Sequence, residues 1–139
     1  MQRFFKYACL FLIGAFFYSV MELCFRSYTH FSMAVAGGSS LSLYALFRPL
    51  CHGSIIKKCL LACFVITTVE FMSGVFINIH LSLDIWNYSH LPLNFLGQIC
   101  LLYSFFWMLL AIPMDFIAET VDGFFTSPLY LDTKSRAKS

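Results

Sequence analysis

The chain has 139 residues, of which 60% are hydrophobic and only 12% charged, with a mean hydropathy of +0.78. Soluble domains carry roughly 25% charged residues, so this composition excludes a water-covered globule and points to one all-α membrane bundle. The net charge of +2 is too small to suggest a nucleic-acid partner, and none is expected.

Four apolar segments are predicted, at about 7–25, 31–47, 59–79 and 99–117. At the helical rise, the first, third and fourth reach roughly 28–32 Å, the thickness of a bilayer's hydrocarbon. Arg3 and Lys6 precede the first segment as in a signal peptide. Its core is longer than an h-region, and no small-residue cleavage site follows before Glu22. Glu22 and Arg26 stand four residues apart near its far end, so they share a helix face and can pair, with Arg26 able to snorkel to headgroups. The second segment is shorter, roughly 25 Å, and carries Gly37, Gly38, Ser39 and Ser40 at its centre. It reads either as a short span or as a re-entrant element; the glycines suit close helix packing or local unwinding around a ligand.

Charge decides between these. With four spans, Arg3, Lys6, Arg48, Lys57, Lys58, Lys134, Arg136 and Lys138 share one side and only Arg26 lies on the other. That bias predicts an N-in/C-in topology in the cell's cytoplasmic membrane, multi-pass. The expected architecture is a four-helix membrane domain over 1–126 and a flexible cytoplasmic tail over 127–139.

Glu70 falls near the middle of the third segment. A carboxylate at that depth is costly and marks either a working site or a buried structural partner. Thr67, Thr68, Ser73 and Gly74 around it suit tight packing and interhelical hydrogen bonds. The connection from His80 to Gly97 holds no Lys or Arg but carries Trp86, Asn87, Tyr88, Asn94 and Gln98 at or near its end. Trp86 and Tyr88 read as headgroup-level anchors or as part of a cap. Asn87-Tyr88-Ser89 has the form of a glycosylation acceptor, a frequent chance match. In the fourth segment Pro113 predicts a kink. Asp115, Glu119 and Asp122 then recur at helical spacing among Phe116, Val121 and Phe124, as in an amphipathic continuation lying at the interface.

The six cysteines form no C-x-x-C pair and read as small core hydrophobes, with a Cys24–Cys100 disulfide conceivable because both fall near one membrane face. No Walker loop, H-E-x-x-H or histidine cluster is present, so the sequence signals no metal and no cofactor, and no ATP hydrolysis by this chain through a Walker site.

The stretch Thr68-Val69-Glu70-Phe71-Met72-Ser73-Gly74, then Asn78-Ile79, Trp86-Asn87-Tyr88-Ser89, Leu91-Pro92-Leu93-Asn94 and Gly97-Gln98-Ile99-Cys100-Leu101 resembles the Putative ABC-transporter type IV (ABC transporter permease) family of small bacterial membrane proteins. Glu22 to Arg26, and His30-Phe31-Ser32-Met33 with Gly37-Gly38, are similar to that family's first-loop signature. Asn87 stands where the family often has Asp, and Ser39-Ser40-Leu41 replaces a more apolar stretch.

The resemblance implies a multi-span protein whose polar signature faces outward or lines the bundle. On this reading Glu22, Arg26 and Glu70 form an outward-facing polar pocket, Trp86, Asn87, Tyr88, Asn94 and Gln98 cap it, and Gly37, Gly38 and Gly74 pack helices. A transport role needs a separate ATPase subunit, met by the 48–58 connection or the acidic helix after Pro113, and a homo- or hetero-oligomer, since four spans make a thin pathway. A second class is a regulator or scaffold that binds membrane lipids or a partner helix without transporting. A third is a lipid-headgroup enzyme using Glu22 and Glu70 as acid and base. It lacks a histidine, metal or nucleophile beside them, so the expectation is a non-enzyme.

Overall fold

The computed structural model describes residues 2–126. The expected tail over 127–139 lies outside the described residues, as do Lys134, Arg136 and Lys138. The elements in order are α1 (Gln2–Arg26), α2 (Phe31–Phe47), a 3₁₀ turn (Arg48–Cys51) and α3 (Ile55–Gly74), which continues as a π-helical turn over Val75–His80. A two-residue antiparallel ladder follows, β1 (Asn94–Phe95) with β2 (Ile99–Cys100), and then α4 (Leu101–Leu109) and α5 (Ala111–Thr126).

The protein is all-helical apart from that ladder, and it is a membrane protein. Two helices are each long and apolar enough to cross a bilayer, α1 and α3 with its extension; the bent pair α4–α5 makes a third when taken as one span. The segment expected from Phe31 to Phe47 is helical over those residues, but at 17 residues it is shorter than either.

Local chemistry sets the ends. Ser27, at φ 61°, breaks α1. His30 caps α2, its Nδ1 accepting from the Ser32 amide at 3.3 Å. Ser54 caps α3 through the Lys57 amide. In the fourth segment the break falls at Leu110, with a bend of 42°, three residues before the expected kink at Pro113. A proline cannot donate to the carbonyl four residues back, here Leu109, and its ring clashes with it, so the helix parts one turn upstream. The Met114 amide resumes the ladder by bonding the Leu110 carbonyl at 3.0 Å.

The expected interfacial continuation is corrected by its packing. α5 does not lie apart from the bundle: Ala111, Met114, Ala118, Val121 and Phe125 are buried in the same core as Leu10, Leu41, Tyr44, Ile66 and Trp107. Its apolar stripe is used against neighbouring helices.

α1 and α2 meet at glycines. A methyl group added at Gly14 would fall 2.6 Å from the Gly37 carbonyl oxygen, and one at Gly38 would fall 2.6 Å from the Phe11 carbonyl oxygen. The backbones therefore touch directly, the close approach that small residues permit in membranes. Most of the rest of α1 is turned away, with Phe4, Leu12, Phe16, Phe17 and Leu23 exposed.

At the end where α1 begins and α2 finishes, charges pair. Arg48 bonds Asp115 at 2.8 Å, Glu119 at 3.0 Å and Asp122 at 3.3 Å; Lys58 bonds Asp115 at 2.6 Å, and Lys6 bonds Asp122 at 2.5 Å. The acids of α5 thus tie it to α1, the 3₁₀ turn and α3.

Three consequences are measurable as thermal midpoints in detergent micelles. Gly38→Val is expected to cost about 1–3 kcal/mol or more through overpacking. Gly123→Ala, where an added methyl meets nothing within 4 Å, should be neutral or slightly stabilising. Asp115→Ala takes from Lys58 the carboxylate it bonds and from Arg48 one of three, and should cost about 3–5 kcal/mol, whereas Glu119→Gln, at an exposed carboxylate, should cost about 1 kcal/mol or less.

Candidate functional site

Glu70 is buried, 6% exposed, on the inner face of α3. Its two carboxylate oxygens accept from two different places: Oε1 from the Tyr88 hydroxyl at 2.8 Å, Oε2 from the Trp107 indole N–H at 3.0 Å. One donor comes from the 81–98 connection and the other from α4. Tyr103 stacks on Tyr88 with ring centroids 4.8 Å apart and lies tilted against Trp107 at 6.1 Å, so aromatic faces fix both donors in place. Burial, reinforced by the adjacent carboxylate, holds the Tyr88 hydroxyl well above the usual phenol range, so it remains a proton-bearing donor. One turn before Glu70, the Thr67 hydroxyl bonds Ser104 across to α4 at 3.1 Å, while Thr68 bonds back to the Phe64 carbonyl of its own helix.

The expected pocket of Glu22, Arg26 and Glu70 divides into two places. Arg26 pairs loosely with Glu22 at 3.4 Å and donates at 2.7 Å to both the Tyr28 hydroxyl and the Ile85 carbonyl. It therefore pins the connection to α1 instead of reaching Glu70. Between the two places lies a small cavity of about 10 Å³ beside Tyr18, Ser40, Glu70 and Trp86, room for about one water.

Of the residues expected to form a cap, Tyr88 bonds Glu70 and the others bond within residues 78–98. Trp86 is buried, 4% exposed, with its indole donating to the Gln98 carbonyl at 3.0 Å, so it is not a headgroup anchor. Asn78, on the π-helical turn, gathers the connection: its amide nitrogen donates to the Trp86 carbonyl at 2.9 Å and to Gln98 Oε1 at 2.8 Å, and its oxygen accepts the Ile85 amide at 2.7 Å. A π-turn re-aims side chains at such places. Gly74 meets Gln98 and Trp86, so it packs the connection and not another helix. Asn87 closes a local turn with the Ser89 amide and hydroxyl, and Asn94 closes another with the Gly97 amide. Gly97 needs its φ of 67°, and a side chain there would strike Ser89 and Asn87.

Trp107 and Tyr18 were not among the residues singled out by pattern, and Asn78 entered only through the resemblance. Trp107 carries the one available signal, an indole N–H within an apolar span that needs an acceptor. Cys24 is exposed, Cys100 buried, and both are free thiols.

A family model described as Putative ABC-transporter type IV matches residues 9–130. The chain belongs to that family. No curated relative and no solved structure matches it. The matched span takes in Glu22, Glu70, the whole 81–98 connection and Trp107.

Tyr88→Phe and Trp107→Phe each remove one donor from a buried carboxylate and are expected to cost about 1–3 kcal/mol. Amide exchange distinguishes them: Tyr88→Phe should speed exchange through residues 85–98, and Trp107→Phe should act mainly on the α3–α4 contact.

Proposed function

We propose that the chain is a multi-pass, non-enzymatic subunit of the cytoplasmic membrane that serves as the membrane component of an ABC-type transport system, with its ATPase on a separate polypeptide. It has four spans, α2 being the short one, and both termini are cytoplasmic. Supporting the orientation, the ion pairs gather Lys6, Arg48 and Lys58 at one end, while Arg26 stands at the other with the connection. The outer end is the polar one, and Glu70 is its organising group.

The observation that carries this reading is the pair of donors on Glu70. An intramembrane carboxylate is retained where it is used, and here it latches the outer connection onto the bundle. Release of Tyr88 would uncover Glu70, Tyr18 and Ser40 as an outward-facing pocket. The site that an ATPase would engage is the opposite end, where α5 and the 48–58 connection form one paired surface. A homo- or hetero-oligomer supplies the remaining wall of any pathway.

A second reading, a lipid- or helix-binding regulator or scaffold, is favoured by one feature: the cavity beside Glu70 is about 10 Å³, far below a substrate's volume. Affinity purification from native membranes under gentle solubilisation distinguishes the two. Transport predicts an ATPase co-purifying in fixed proportion, its hydrolysis rate altered in Glu70→Gln although the assembly is still recovered. Recovery of no ATPase, or of one indifferent to Glu70→Gln, favours the regulator. Reporter fusions within 48–58 are expected on the cytoplasmic side, and an external position would overturn the layout.

A further inference from the structure

The charged end of the bundle carries an open pocket of about 360 Å³, within the range of small-molecule sites. Its lining includes Lys6, Arg48, His52, Lys58, Glu119 and Asp122. It lies where α1 and α3, the two helices long enough to span, both begin, and hence at the depth of lipid headgroups.

Charge balance narrows the ligand. Three cations, Lys6, Arg48 and Lys58, face three carboxylates, Asp115, Glu119 and Asp122, through the ion pairs already described. A simple anion would add uncompensated charge to this neutral set, and so would a simple cation. A ligand carrying both signs adds none.

The two signs are also separated in accessibility. Glu119 and Asp122 have side chains 60% and 40% exposed, so their free lone pairs are open to an incoming donor. Lys58 and Arg48 lie deeper, at 15% and 18%. Lys6 and His52 supply further N–H donors at the rim.

The kind of ammonium follows from the lining. Carboxylates reward N–H donors, which a primary ammonium has and a quaternary one lacks. Quaternary ammonium is instead held by open aromatic faces. Tyr7 is an aromatic ring on the lining, and Lys6 already sits over it at 5.1 Å.

We infer that this cavity is a binding site for the headgroup of a zwitterionic phospholipid with a primary ammonium: the phosphodiester lies toward Lys6, Lys58 and His52, and the ammonium lies against Glu119 and Asp122. The assignment is independent of which side of the membrane this end faces and of any transport activity.

The test is native mass spectrometry of the full chain in detergent, titrated with phosphatidylethanolamine, phosphatidylcholine, phosphatidylglycerol and soluble O-phosphoethanolamine. Phosphatidylethanolamine is expected to be retained about tenfold more tightly than phosphatidylcholine, the worth of a charge-assisted hydrogen bond. Glu119→Gln should erase most of that preference, and Glu119→Lys should shift it toward phosphatidylglycerol, with unchanged thermal midpoints showing that both variants fold. Equal retention of phosphatidylethanolamine and phosphatidylcholine would overturn the proposal. So would preference of the native chain for phosphatidylglycerol, the behaviour of a plain anion site. Binding of O-phosphoethanolamine as tight as that of the lipid would overturn the lipid assignment.

Discussion

One carboxylate in an apolar helix has to be satisfied, and the loop end of this protein is arranged around that requirement. Among the described residues, no cation pairs with Glu70. It is met by two neutral donors that reach it from distant parts of the chain, Tyr88 and Trp107. Neutral donors suit the place: a buried ion pair demands desolvation of two charges, whereas a phenol and an indole bring apolar bodies along with their single polar hydrogen. The same two bonds fix the connection and α4 relative to α3, so the cost of the acid becomes a device for setting register.

The two ends of the bundle use different chemistry for the same task of joining sequence-distant elements. At the loop end, Asn78, Gln98, Trp86 and Tyr88 make directional hydrogen bonds, and Arg26 adds a charged donor. At the other end, Arg48 and Lys58 hold α5 by ion pairs that several carboxylates share. Between them the core is largely apolar, with Thr67 bonding Ser104, Ser42 donating to the Tyr7 carbonyl and α1 crossing α2 at glycines. Directional bonds define a single docked geometry; shared ion pairs tolerate small shifts. A loop that must seat on one carboxylate has the first kind, and a helix at the polar boundary has the second.

Hydropathy made the helical segments legible, since each is a local property of composition. Residues 31–47 are helical with those same ends, and Glu70 stood out because an acid in a spanning segment has no bland explanation at the level of composition. The break at Leu110 was legible only approximately: Pro113 signals it, but the clash falls on a carbonyl four residues earlier. Of the site's two donors, Tyr88 stood among the expected cap residues, whereas Trp107 was not paired with Glu70 by any pattern. Trp107 is 37 residues from Glu70, and nothing local to either marks the pair. Arg26 pairs with Glu22 as its spacing suggested, yet its stronger bonds go to Ile85 and Tyr28, which no helical periodicity predicts. Lys58 and Arg48 read as topology markers by position, and only tertiary packing shows that they also bind α5.

The direction of these long-range bonds matters for how the protein is made. Both groups that satisfy Glu70 are encoded after it, at 18 and 37 residues downstream. At about 5–20 residues per second, a nascent chain would hold the acid without Trp107 for roughly 2–7 s. During that interval α3 carries the acid with one of its two donors missing. Synthesis order thus gives α4 a second duty, completing the hydrogen bonding of a helix made well before it.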